Sequence, residues 1–148
     1  MSGRIRRRIG FPLLAGATAC GLLAAGASAP GAQGLACAPP QRSMLEIELM
    51  FGRAIGNGAS VGDAAWSRFL AREVTPRFPE GVTVLDAAGQ WRDRERARIV
   101  REPSKLVVIV AADDATSRDS IAAIVGAYKQ RFRQQSVGVV TRPVCAAF

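Results

Sequence analysis

The chain of 148 residues contains no histidine, which removes the commonest general base near neutral pH and the commonest transition-metal ligand. A Ser-His-Asp or Cys-His apparatus is excluded, and so is a haem held by histidine. Cysteine is scarce, with Cys20, Cys37 and Cys145 too widely spaced for a zinc site. No glycine-rich loop matches a P-loop or a dinucleotide fingerprint. The reading is therefore of a chain with no cofactor and no metal. Acidic residues are missing before Glu46, so the first third of the chain has charge of one sign only.

That asymmetry explains the net charge. The formal value is +8, but Arg4, Arg6, Arg7 and Arg8 stand in the first ten residues, and without them sixteen basic residues face twelve acidic ones. The remaining +4 is an ordinary solubility margin, and no nucleic-acid partner is expected. The segment 1–10 is basic and 11–29 is uncharged and rich in Ala, Gly and Leu, the layout of an export signal. Ala27-Ser28-Ala29 supplies small residues for cleavage, with Ala25-Gly26-Ala27 and Gly34-Leu35-Ala36 as alternatives because Pro30 is awkward at a scissile bond. A lipoprotein-like site at Cys20, a twin-arginine signal and a retained anchor are the rival readings. The glycines and alanines make the run weakly hydrophobic for a membrane span. The expected organisation is leader 1–36, tether 37–43 and one domain over 44–148, in a periplasmic or secreted protein that meets a membrane only through its leader.

Within the domain the periodicities are distinct. Leu45, Ile47, Leu49 and Phe51 alternate with Glu46 and Glu48, which predicts a strand with one buried face. Ser60 to Asp63 resembles a capping box, followed by Trp66, Phe69, Leu70 and Val74 on one helical face. Thr75 to Gly81 ends that helix and turns the chain. A strand restarts at Val82, is expected to bulge or bend at Ala87 to Gly89, and continues through Trp91 and Arg92. A hairpin tip at 93–96 leads to a long strand with the apolar centre Leu106 to Val110, which belongs inside a sheet. Pro103 must there face an unpaired edge or a bulge. Thr116 to Asp119 is expected to cap a second helix, with Ile121, Ile124, Val125, Tyr128 and Phe132 inward, and the segment 136–147 is extended.

The order strand, helix, strand, strand, helix, strand is the ferredoxin-like α+β arrangement: a four-stranded antiparallel sheet with two helices on one face, the last strand beside the first. That neighbourhood brings Cys37, before the first strand, to Cys145, near the end of the last. A disulfide between them is expected in an oxidising compartment. The uncovered sheet face, with Met50, Val84, Val107 and Val140 among its candidates, invites self-association as a homodimer.

The segment Thr75 to Asp86, with Gly89-Gln90-Trp91-Arg92, Arg101-Glu102, Tyr128, Phe132, Gln135-Ser136-Val137 and Phe148, resembles a family of small exported bacterial proteins known as a domain of unknown function. The resemblance spans about 45–148, departs from the family's usual pattern at Pro103, and implies exported location and fold but no catalytic residues.

Two groups of residues are candidates for chemistry. Arg53 and Asn57, in the glycine-rich loop 52–58, would form an anion cradle ahead of the first helix. Arg77, Trp91, Arg92, Arg101, Glu102 and Tyr128 would line a ligand pocket, unless Trp91 and Tyr128 pack under the helices while the charges pair at the surface. No residue is assigned as catalytic. The sequence favours a module that binds a small ligand, an envelope protein or its own copy, over the alternative of a small cofactor-free enzyme using Arg, Glu or Tyr.

Overall fold

The computed structural model describes residues 36–56, 58–93 and 97–148. Residues 1–35 of the expected leader and 94–96 of the expected hairpin tip lie outside the described residues, while Asp93 ends β2. The elements are β1 (Arg42–Gly52), α1 (Asp63–Phe69) running into a π-helical turn (Leu70–Val74), β2 (Thr83–Asp93), β3 (Arg98–Ala111), α2 (Ala115–Phe132) and β4 (Gly138–Ala146). The strands form one antiparallel sheet in the order β2-β3-β1-β4, the ferredoxin-like order that the sequence implies.

The alternation of β1 decides where the core lies. Leu45, Ile47, Leu49 and Phe51 are buried together with Val107 and Ile109 of β3, Trp66 and Phe69 of α1, and Ile121, Ile124, Tyr128 and Phe132 of α2. Both helices therefore cover the same face, because successive strand residues point to opposite sides of the sheet. The aromatic rings form a knot: Phe51 lies 4.7 Å from Tyr128 and 5.2 Å from Trp66, and Tyr128 lies 4.8 Å from Phe132, all tilted or edge-on. Such pairs add roughly 0.5–1.5 kcal/mol each beyond the area they bury.

Several local expectations are corrected. Ser60 does not cap α1; it bridges Ala54, and the N-cap is Gly62 in extended geometry. The cap of α2 is Asp114, whose carboxylate accepts from the Ser117 N–H at 2.8 Å, rather than the Thr116 to Asp119 stretch. β2 has no bulge: it pairs one to one with β3 from Thr83↔Val108 to Asp93↔Arg98. Gly89 is there for close approach instead, since a Cβ would stand 2.6 Å from Ser104 Oγ. Met50 and Val140 lie on the uncovered face as expected, but Val84 and Val107 lie on the helix side, where Val107 is fully buried. Strand β1 also begins inside the expected tether, at Arg42.

Pro103 is absorbed at the end of a ladder. Its carbonyl accepts from the Arg53 N–H at 3.0 Å, just past the last paired residues of β1, and the Arg53 carbonyl that a residue with an N–H would satisfy accepts instead from Val61 N–H at 2.8 Å. The chain's turn toward α1 supplies the donor that proline lacks.

β4 closes the sheet beside β1, with Ser43↔Cys145 in register, and Cys37 bonds Cys145 with the Cα atoms 5.5 Å apart. Such bonds persist in oxidising compartments. Among the described residues no helix is long and apolar enough to cross a membrane. The crosslink closes a loop of 108 residues, so replacing both cysteines by serine should lower unfolding stability by about 2–5 kcal/mol. Urea denaturation of the oxidised chain against the double variant measures this, with the same shift expected on reduction.

Candidate functional site

Where β1 stops, β3 runs on, and the side chains of β3 that face away from the helices lose their neighbour. Glu102 is the first of them. Its carboxylate folds back across Gly52: Oε2 accepts from the Ala54 N–H at 2.6 Å, and Oε1 accepts from the Trp91 indole N–H of β2 at 2.7 Å. The carboxylate lies so close to the strand that a Cβ on Gly52 would stand 2.6–2.8 Å from its oxygens. Gly89, directly opposite Glu102 on β2, leaves the same surface bare.

Tyr128 supports this arrangement from the other side of the sheet. Its ring is fully buried in the aromatic knot and its hydroxyl donates to the Gly52 carbonyl at 2.9 Å. Burial pushes its pKa up to about 12, with nearby Arg53 pulling the other way and Glu102 adding to the rise. At neutral pH it is a fixed hydrogen-bond donor. After α2 the chain returns to the same place, where Gln134 Nε2 donates to the Ala54 carbonyl at 2.7 Å. The result is a cleft of about 460 Å³ with Gly52 and Gly89 beside Glu102, Trp91 and Met50 partly exposed, and Ser104 and Gln134 contributing polar groups.

The residues expected to act together are divided by the fold. Trp91 and Glu102 are hydrogen-bonded to each other in this cleft, and Tyr128 touches it only through Gly52. Trp91 is 40% exposed on the uncovered face, not packed under the helices. Arg92 and Arg101 are exposed, and strand alternation turns them to the opposite face from Glu102. Arg77 borders a different hollow, of about 700 Å³, at the other end of the strands, and its guanidinium is bound to the Glu73 carboxylate at 3.0 Å and the Glu73 carbonyl at 2.6 Å. Arg53 donates through Nε to the Val61 carbonyl at 2.6 Å and pairs with Asp63 at 2.8 Å, so its charge is answered within the loop. Asn57 lies outside the described residues. Among the described residues no group of His, Cys, Asp or Glu is arranged to hold a metal.

The sequence does not single out Ser104 or the backbone of Ala54, and it gives Gln134, with Gln130 and Gln135, the pattern of a solvated helix end. Gln134 sits among several glutamines at a helix end, and its contact with Ala54 spans 80 residues, so no local pattern reveals it. The glycines had a signal, because Gly52 and Gly89 both stand within strands, where the residue weakens pairing unless something must come close.

The profile described as "Protein of unknown function (DUF3574)" matches residues 46–148. The chain belongs to DUF3574. No curated protein matches it. Among solved structures, a phage SAM lyase in complex with S-methyl-5'-thioadenosine superposes with a TM-score of 0.57 at 12% identity, covering 71% of this chain and 90% of that one. The apo state of a phage SAM lyase gives 0.52 at 13% identity, with 71% and 86% covered. CutA from Synechococcus elongatus gives 0.48 at 9%, with 72% and 82% covered. At these identities the two phage structures show a shared fold and nothing further.

Two outcomes follow for the DUF3574 chain. Tyr128 is its only tyrosine, so absorbance titration reads this residue alone: the midpoint should lie near 12 in the folded chain and near the ordinary 10 in urea. Because the folded-state value is the higher, stability is fully present below about pH 10 and should fall as pH rises from there toward 12. Gly52→Ala should displace the Glu102 carboxylate from both donors and cost about 1–3 kcal/mol, with a change in Trp91 fluorescence.

Proposed function

We propose that this DUF3574 chain is an exported, non-catalytic binding module whose site is the cleft at Glu102 and Trp91, and that it takes a small molecule with a planar body and hydrogen-bond donors. Export is supported by the leader-like composition of 1–36 and by the Cys37–Cys145 bond, which suits an oxidising compartment. The observation that carries the reading is the convergence, on one cleft, of a carboxylate held by two donors, a partly exposed indole and two glycines that keep the floor bare. Each oxygen of Glu102 accepts one bond within the chain, and a carboxylate has about four acceptor sites, so it retains capacity for donors on a ligand. Trp91 offers an aromatic surface beside it.

Catalysis is the second reading, and the phage lyase likeness is the observation on its side. It requires a proton-transfer partner beside Glu102. Tyr128 is turned inward with its pKa near 12, and Arg92 and Arg101 stand on the other face, which supports placing binding first.

Isothermal titration calorimetry with adenine nucleosides, S-methyl-5'-thioadenosine included, and other amino-substituted heteroaromatic compounds tests the proposal. A ligand is expected whose affinity falls about tenfold or more in Trp91→Ala and is unchanged in Arg77→Ala. Equal loss in both variants, or no binding across the panel, would count against the site, and turnover of a bound compound would replace binding by catalysis.

A further inference from the structure

We infer that the outer edge of β2 is an interface with a second copy of this chain: the two β2 strands pair antiparallel about a two-fold axis at Gly89, setting Asp86 of each copy opposite Arg92 of the other. The inference stands apart from the ligand reading and begins with the difference between the sheet's two edges. The Arg53 N–H bond to the Pro103 carbonyl fixes which residues face which strand, because antiparallel backbone groups alternate in direction. Counting along the registers, β4 turns Val139, Thr141, Pro143 and Cys145 outward. Pro143 thus breaks the row of donors on that edge, a common device against edge-to-edge pairing. β2, the opposite outer strand, turns Val84, Asp86, Ala88, Gln90 and Arg92 outward, with no proline among them.

The second observation is an overhang. β1 pairs with β3 only as far as Gly52↔Ser104, whereas β2 and β3 continue together from Ala88↔Pro103 to Asp93↔Arg98. That extension is a two-stranded ribbon, an arrangement marginally stable in water by itself. It also shows apolar surface on both sides, Trp91 being 40% exposed on the uncovered face and Ile99 52% exposed on the other. A second β2 would turn the ribbon into four strands.

The register follows from charge. Asp86-Ala87-Ala88-Gly89-Gln90-Trp91-Arg92 has an acid at one end, a base at the other and no charge between, so antiparallel pairing about Gly89 matches opposite charges twice. Only outward residues can bond across the edge, which excludes a shift of one residue. Pairing about Ala88 would set Asp86 against Gln90 and Arg92 against Val84, and a parallel pairing would align like charges. Gly89 then falls in a pair of the closer kind, with Cα atoms about 4.5 Å apart, where absence of a side chain helps. Asp86 is 82% exposed and uses only Oδ1 for Lys105, leaving the other oxygen for a partner.

Sedimentation velocity on the full chain, expressed with its leader and purified oxidised, is the test, over a series reaching high-micromolar concentration. A dimer is expected, weakened about tenfold by Asp86→Arg or by Arg92→Asp and restored in the double variant. Ala88→Pro should abolish it, since that N–H points outward and its loss leaves the β2–β3 ladder intact, with circular dichroism and the Cys37–Cys145 bond unchanged. A wild-type monomer throughout, a dimer that survives Ala88→Pro, or a double variant no better than the single ones would overturn the inference.

Discussion

Tyr128 holds the end of β1. Its ring is the centre of the aromatic knot, and its one polar atom emerges from that knot at the Gly52 carbonyl. A buried hydroxyl without a partner costs roughly 1–3 kcal/mol, so the docking of helix α2 that lets Tyr128 reach the Gly52 carbonyl is favoured over one that leaves the hydroxyl unpaired. From that single registration the remaining placements follow. Phe51 is pinned beneath Tyr128, Gly52 is held at the sheet's margin, and the chain leaving α2 is delivered to Ala54, where Gln134 closes over it.

The termination of β1 then determines what β3 can do. Inside the sheet a β3 side chain on the uncovered face has strand neighbours on both sides, as Leu106 has in Met50 and Leu85. Glu102 lies beyond the last β1 pair, and its carboxylate can bend over the vacated position to reach the Ala54 N–H. An acid in that place needs donors, and the two it has come from different elements: a loop amide after β1 and an indole on β2. The same geometry that joins three segments also leaves a carboxylate, an indole and bare backbone at the rim of one cleft.

Much of the architecture was legible because it is written in period. Leu45, Ile47, Leu49 and Phe51 recur at every second position of β1, α2 repeats its apolar residues at helical spacing, and the two cysteines stand before β1 and near the end of β4, the strands that the topology makes neighbours. What was not legible depends on contacts distant in sequence. Gly89 inside a strand pattern reads as a bend, and only the presence of Ser104 and Glu102 opposite shows that it is a clearance. Val107 and Val108 are equivalent in sequence, in an apolar run with no alternation, so their sides are settled by pairing with Leu49 and Glu48. Trp91, which the sequence leaves between a ligand pocket and packing beneath the helices, is drawn to the uncovered face by parity with Gly89 and by its N–H bond to Glu102. The arginines misled for a related reason: Arg92 is next to Trp91 and Arg101 next to Glu102 in the chain, and adjacency along a strand means opposite faces.

Pro103 shows how closely the loop after β1 is tied to this margin. One residue to either side, at 104 or 102, a proline would remove a donor that β2 requires, and at 105 one that β1 requires, because the backbone groups of β3 alternate between its two neighbours. At 103 the missing donor faces Arg53, whose carbonyl is met by Val61 as the chain turns toward α1. Arg53 completes the exchange with its side chain, bonding the Val61 carbonyl and the Asp63 carboxylate. The loop that had the composition of an anion cradle is thus a substitute rung of the ladder, with its cation directed at the first residue of α1. That rung keeps Ala54 in place, and Ala54 in turn supplies the amide on which the orientation of Glu102 depends.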